Sequence, residues 1–168
     1  MTRAGASATA ASSRTPTLVG MPLRETLTDA QMKTMNAVHR GLLAVSGGRI
    51  GSTLGTMPVV RLRHVGRTSG RPYETMLTAP IQDDDRFVLV ASKGGDDRHP
   101  DWYRNLTAHP DAELVVGGET VPITARTATE EEKVELWPRI VEAYKGYAGY
   151  QKKTDRDIPV VICDRRPD

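Results

Sequence analysis

Residues 58–92 read PVVRLRHVGRTSGRPYETMLTAPIQDDDRFVLVAS. The run Val59 to Val65 is rich in β-branched residues, and its latter half alternates apolar with basic side chains, the period of a half-buried strand. Gly66-Arg67-Thr68-Ser69-Gly70-Arg71-Pro72 is punctuated as a turn. Tyr73 to Ile81 then reads as a second strand, Gln82 to Asp85 as a second turn, and Arg86 to Ser92 as a third strand. Connections this short join antiparallel strands, because a parallel pair needs a crossover of a dozen or more residues.

Working outward, His99-Pro100-Asp101 opens a short helix that runs to about Ala108, with proline near the first helical position. Glu113 to Val116 and Glu119 to Ala125 form a hairpin about Gly117-Gly118. Thr129 and Glu132 have capping-box spacing and start a helix to about Tyr144, despite Pro138. Ile158 to Cys163 is a last strand. Toward the N-terminus, Thr28 and Gln31 form another capping box, and Met32, Met35, Val38, Leu42 and Val45 follow at helical spacing. The SGGRIGSTLGT stretch after it reads as a mobile loop. Residues 1–22 begin in an Ala/Ser/Thr-rich run without periodicity and are expected to be a disordered tail, with 23–168 forming one domain. The expected fold is α+β: about six mostly antiparallel strands with flanking helices, as a small barrel or strongly coiled sheet.

The 168 residues suit a single domain with a real core. A lone cysteine, Cys163, excludes a disulfide framework and a cysteine-based metal site, and the four histidines show no metal-ligand spacing. No apolar run is long enough for a membrane span and no secretory leader is legible, so the expected setting is cytoplasmic. Dinucleotide and P-loop glycine motifs are missing. The net charge of +2 conceals an asymmetry: between Asp29 and Glu74 there is no carboxylate, yet Lys33, Arg40, Arg49, Arg61, Arg63, Arg67 and Arg71 all fall there. Such a stretch suits an anionic ligand or is a solvated basic face. Nucleic acid is disfavoured because residues 59–71 carry no aromatic side chain for base stacking.

Three places present chemistry. In the first turn, the guanidiniums of Arg67 and Arg71 flank Thr68, Ser69 and Gly70, a donor set suited to phosphate. At the end of the third strand, Ala91-Ser92-Lys93-Gly94-Gly95 delivers a hydroxyl, an ammonium and two glycines beside a strand that fixes their position. Trp102 and Asn105 follow on the short helix, where the tryptophan is either core or ligand wall. Third, Tyr144, Tyr147 and Tyr150 put three of five tyrosines within seven residues. Gly146 and Gly149 suggest a loop or frayed helix end with movable rings, serving either as ligand faces and hydrogen-bond donors or as a packed cluster.

In this order the three places resemble the deazaflavin-dependent nitroreductase family of flavin/deazaflavin oxidoreductases. The likeness runs from about Val60 to Cys163 and rests on Gly66 to Pro72, Val90 to Gly95, Pro100-x-Trp102-Tyr103-x-Asn105-Leu106, and the tyrosines trailed by Thr154-Asp155-Arg156-x-Ile158-Pro159. It implies a split β-barrel of the FMN-binding type that holds coenzyme F420, an 8-hydroxy-5-deazaflavin with a phosphate and oligoglutamate tail. The reduced coenzyme would pass a hydride to a small electron-poor acceptor such as a quinone, enone or nitroaromatic. By the match, Arg67, Thr68, Ser69, Gly70, Arg71, Pro72 and Lys93 hold phosphate and tail. Val90, Ala91, Ser92, Lys93, Gly94, Trp102, Asn105 and Tyr147 line the ring. Ser92, Tyr147 and Tyr150 are the catalytic candidates near the acceptor, and Tyr144 closes the mouth. FMN on the same barrel, or a carrier of deazaflavin without catalysis, are the alternatives. The protein is expected to be a monomer or homodimer, and its N-terminal amphipathic helix suits a peripheral membrane contact.

Overall fold

The computed structural model describes residues 53–54 and 57–167. The strands are β1 (Thr53–Leu54), β2 (Met57–Val65), β3 (Pro72–Thr78), β4 (Ile81–Gln82), β5 (Arg86–Val90), β6 (Asp111–Val116), β7 (Glu119–Thr127) and β8 (Val160–Arg165). The helices are α1 (Asp101–Ala108), α2 (Glu130–Ala143) and α3 (Gly146–Gln151), with a 3-10 turn at Lys93–Gly95. The capping box at Thr28, the helix following it and the tail to residue 22 lie outside the described residues.

Every pairing is antiparallel, in the order β1-β2-β6-β7-β8-β5-β4, with β3 on β2. The stretch expected as one strand, Tyr73 to Ile81, is two. Through Thr78 it pairs with β2, and Ala79 N still donates to Pro58 O at 3.0 Å. Pro80 has no N–H for a ladder, and beyond it Ile81 and Gln82 pair with Val88 and Phe87 of β5. Thr78 and Ile81 are three residues apart, so the two ends of the sheet must meet there. The sheet is therefore curled upon itself, the split-barrel architecture expected from the sequence.

β5 and β8 are covered on both faces, which explains why FVLVA and VVIC are continuous apolar runs rather than alternating ones. Phe87, Leu89 and Ala91 pack inward with Val60, Leu62, Leu114, Ile123 and Val161. Val88, Val90 and Val160 pack the other way, with Ile140, Tyr147 and Ile158. β2 alternates as expected, with Val60 and Leu62 fully buried and Arg61 and Arg63 turned outward.

The α2 capping box is complete: Thr129 Oγ1 accepts from Glu132 N at 3.2 Å, and the Glu132 carboxylate accepts from Thr129 N at 2.9 Å. The bidentate Arg126 guanidinium, at 2.7 and 2.8 Å, holds the Glu132 carboxyl down to about 2. Pro138 interrupts one helical bond at the exposed turn carrying Val134.

Phe87 is 1% exposed at the crossing of β4, β5 and β8. Phe87→Ala should destabilise the fold by about 3–5 kcal/mol, measured as a lowered urea midpoint at an unchanged slope.

Candidate functional site

The turn between β2 and β3 is closed by Gly66 N to Arg71 O and Gly70 N to Gly66 O, both 2.8 Å. Gly66 has no room for a side chain: a Cβ there would lie 2.7 Å from Ser69 Oγ and from the Tyr73 ring. Arg67 is held by α1, its backbone N–H and Nη1 both donating to Asn105 Oδ1 at 3.1 Å and its Nη1 also reaching Asp101 Oδ1 at 3.3 Å. Thr68, Ser69, Gly70, Arg71 and Pro72 are exposed. Asn105 is itself buried, and its amide nitrogen meets His64 Nδ1 at 3.2 Å.

β5 runs from buried Val90 and Ala91 into Ser92, also buried. Ser92 is right-handed (φ −72°, ψ −36°), and Lys93 follows at φ +47°, then Gly94 at +68° and Gly95 at +85°. A right-handed residue followed by a left-handed one turns successive amide groups to one side, making an anion-binding concavity. Lys93 adopts the left-handed form without being glycine, a conformation that surrounding structure must hold. The holding group is Arg156. Its guanidinium donates to Ala91 O at 3.1 Å, Ser92 O at 2.9 Å and Asp96 O at 2.8 Å, while Nη1 lies 3.3 Å from His99 Nδ1. Burial, then the charges of Arg156 and Arg104, keep His99 below the usual histidine range.

Tyr147 and Tyr150 lie on a short helix, α3, not the loop or frayed end expected from its glycines, while Tyr144 is extended at the end of α2. Gly146 is what the cluster requires, since a Cβ there would stand 2.2 Å from the Tyr144 ring. The Tyr144 and Tyr147 rings meet edge to face at 5.5 Å, Tyr147 and Tyr150 likewise at 6.1 Å, and the Tyr144 and Tyr150 hydroxyls are 3.5 Å apart. Tyr147 is buried and shares a hydrogen bond of 3.0 Å with Thr78 Oγ1. Tyr144 is exposed. Burial raises the Tyr147 phenol, partly offset by Thr78. The Tyr144 hydroxyl and then burial push Tyr150 up to about 12. Both phenols therefore stay protonated near neutral pH and can donate.

The second and third places adjoin each other: a Cβ on Gly95 would lie 2.7 Å from Tyr150 O and 2.9 Å from Lys153 Cβ. The Arg67 turn reaches them through α1, whose Tyr103 ring packs against His99 at 5.1 Å. Trp102, 6% exposed, lies in the core with Leu106 and edge-on to Tyr103. Sequence reasoning gave no role to Arg156, Thr78 or His64. Arg156 stood inside a quoted motif, but its acceptors are backbone carbonyls, which no residue pattern marks.

A groove of about 640 Å³ runs along β2, β3 and β6 behind the Arg67 turn, lined by Arg63, His64, Tyr73, Glu74, Asp111 and Arg166 among others. Its charges pair as Arg63–Glu74, Arg63–Glu113 and Arg166–Asp111, although Arg166 Nε is buried without a hydrogen-bond partner among the described residues. Burial, aided by Asp164, pushes the Cys163 thiol up to about 12, so it is no nucleophile at neutral pH. Among the described residues no cluster of His, Cys, Asp or Glu could hold a metal, and no helix is long and apolar enough to cross a membrane.

The model of the F420H(2)-dependent quinone reductase family matches residues 35–165. The chain belongs to this family. A Mycobacterium tuberculosis (strain ATCC 25618 / H37Rv) protein named F420H(2)-dependent quinone reductase Rv1261c is 37% identical over 139 residues, covering 80% of this chain and 90% of that protein. A solved structure titled F420-H2 Dependent Reductase (FDR-A) is 41% identical, covers 64% of this chain and 94% of its own, and has a TM-score of 0.58. Another, titled a domain-swapped dimer, is 34% identical over 83% of this chain and 99% of its own, with a TM-score of 0.59. This F420H(2)-dependent quinone reductase family member is thus an oxidoreductase, as the sequence resemblance implied. The relatives carry F420 in their names, and nothing supports the FMN alternative.

The Lys93 turn yields a graded test. Gly94→Ala meets open space and only the left-handed penalty, so it should cost about 1–2 kcal/mol. Gly95→Ala adds a clash with the Tyr150 backbone and should cost about 1–3 kcal/mol more. Thermal unfolding of the two variants side by side checks the order.

Proposed function

We propose that the Arg67 turn and the Lys93 turn hold the anionic tail of coenzyme F420, and that Ser92 and the α3 tyrosines serve the quinone that this family reduces. The observation carrying this reading is the turn at Ser92-Lys93-Gly94, which combines converging amide groups with an ammonium and lies against Tyr150. The donor set fits a phosphate and carboxylates: guanidiniums at Arg67 and Arg71, hydroxyls at Thr68 and Ser69, and the Lys93 amine. It would also fit the phosphate of FMN, but the F420 in the names of the family and its relatives supports the deazaflavin.

When bound, the deazaflavin supplies the hydride; the protein must position the ring, orient the acceptor and stabilise the charge that arrives. A quinone that accepts a hydride gains negative charge on oxygen, which a hydrogen-bond donor stabilises by about 2.7–4 kcal/mol. Ser92 is fixed at a strand end whose carbonyl Arg156 holds. Tyr150 is a phenol kept neutral by its neighbours. Tyr147, anchored to Thr78, acts as wall, and exposed Tyr144 stands at the rim. The likeness to a structure titled a domain-swapped dimer supports a homodimer over a monomer.

An Arg67→Ala, Lys93→Ala double variant should bind coenzyme F420 more weakly by a few kcal/mol at most, with the difference shrinking as salt rises. Unchanged affinity by fluorescence titration would remove the assigned tail site.

Tyr150→Phe keeps the ring and loses only the hydroxyl. If that hydroxyl meets the developing charge, kcat for quinone reduction should fall tenfold or more while coenzyme affinity stays within about twofold. A silent Tyr150→Phe with a slow Ser92→Ala assigns the donor to Ser92 and leaves Tyr150 as a lid. Steady-state kinetics with separate binding measurements distinguish the two.

A further inference from the structure

His64 stands on β2, 6% exposed, behind the Arg67 turn, and no step above uses it. Its two ring nitrogens have defined partners: Nε2 lies 3.2 Å from Thr75 Oγ1 and Nδ1 3.2 Å from the Asn105 amide nitrogen. The orientation of that amide is settled by its other end, where Asn105 Oδ1 accepts two N–H groups from Arg67, both at 3.1 Å. Its NH2 group must therefore face His64. An NH2 group only donates, so Nδ1 must be bare and the imidazole proton must sit on Nε2, donating to Thr75. The chain Thr75–His64–Asn105–Arg67 thus has one consistent direction, and it exists only with neutral His64.

Adding a proton at Nδ1 points N–H at NH2. Rotating the Asn105 amide relieves that conflict but turns its NH2 group onto the Arg67 N–H and guanidinium, which are also donors. One donor–donor pair is left either way: kept at His64 it is buried and costly, and moved to exposed Arg67 it breaks the contact between the turn and Asn105. The relief available is release of the turn from α1.

The surrounding charges do not favour the proton. The Arg67 guanidinium is linked to the imidazole through Asn105. Asp101 of α1 is engaged with Arg67 and largely exposed. From β3, the Tyr73 ring stacks on the imidazole at 5.9 Å, and Glu74 turns to Arg63. Asp111 and Glu113 of β6, and Arg166 beyond β8, line the same groove and are ion-paired there. Burial lowers the His64 pKa, against a smaller raising effect of the Val65 backbone.

We propose that neutral His64 is a positioning residue for the anion-binding turn: through Asn105 it fixes the geometry in which Arg67 is presented, and protonation of His64 releases it. This rests on the reading of the Arg67 turn as the coenzyme-tail site. The sign follows from the chain of donors. Presentation is intact at neutral pH and is lost as pH falls through a folded-state value below the ordinary histidine range.

The test compares the unmodified protein with His64→Asn, which places a non-titrating acceptor oxygen where Nδ1 sits. Coenzyme F420 affinity of the unmodified protein, by calorimetry, should weaken about tenfold more than that of His64→Asn between about pH 7.5 and about pH 5. His64→Leu, which offers Asn105 no acceptor, should bind weakly at every pH. Nitrogen-15 NMR should show the Nε2–H tautomer at neutral pH, and Arg67 amide exchange should accelerate on acidification in the unmodified protein but not in His64→Asn. A Nδ1–H tautomer, or the same pH dependence in both proteins, would overturn the proposal. Absence of coenzyme binding in every variant at every pH would instead overturn the tail-site reading, and the tautomer and exchange data would still decide the His64 contact.

Discussion

The Arg156 guanidinium ends between the carbonyls of Ala91, Ser92 and Asp96, three backbone acceptors at the point where β5 leaves its ladder with β8. Hydrogen bonds from a charged donor are worth about 1.5–3 kcal/mol each, and acceptors stranded by its loss would cost a comparable amount. Together with the turn's own bonds, Gly95 N to Ser92 O at 2.9 Å and Asp96 N to Lys93 O at 3.3 Å, that guanidinium holds the chain through three consecutive left-handed residues, Lys93 to Gly95. Neighbouring contacts keep it in place: Gln151 Nε2 donates to Arg156 O at 2.8 Å, and Thr154 Oγ1 donates to Asp97 Oδ1 at 2.7 Å. The Lys93 turn, α3 and the segment before β8 are therefore one unit, and the candidate site is as rigid as that unit.

Local chemistry made much of this legible. The alternation in β2, the Gly66 turn, the Gly117-Gly118 hairpin and the Thr129 capping box involve residues within one element or two neighbouring ones, and each stands where the sequence placed it. What escaped was set by distant partners. Pro80 marks a break within Tyr73 to Ile81, but no local pattern says that Ile81 finds a different neighbour from Thr78. Two glycines, at about 1 kcal/mol each in a helix interior, argue against a helix at α3. Gly146 opens the helix and is required by the Tyr144 ring folded onto it, so tertiary packing overrides propensity there.

The basic, carboxylate-free stretch has two fates. Arg61 and Arg63 are answered across the sheet by carboxylates that lie later in the sequence: Glu74 and Glu113 oppose Arg63 in register, and Glu74 also reaches Arg61 diagonally. A charge count along the chain sees the asymmetry but not this cancellation. Arg67 and Arg71 sit in the turn beyond the ladder, where Arg67 keeps one exposed carboxylate neighbour, Asp101, and Arg71 has no ion-pair partner among the described residues. Among the described residues, the part of the stretch suited to an anion is thus the turn, beside the helix that carries Asn105.

The tyrosine cluster divides its labour by burial. Tyr147 is tied to Thr78 and packed among Val88, Val90 and Ile140, so its ring is a wall and its hydroxyl already has a partner. Tyr144 and Tyr150 share one long hydroxyl contact, weak enough to be exchanged for a bond to an incoming acceptor oxygen. Deprotonating Tyr150 beside two other phenols is disfavoured, and this holds its acidity near 12. A donor of that acidity can stabilise charge arriving on a quinone oxygen without being drained of its proton at rest. The Tyr144 hydroxyl and burial both oppose its ionisation, so the Tyr150 hydroxyl keeps its proton near neutral pH while its one long contact leaves it able to turn to another acceptor.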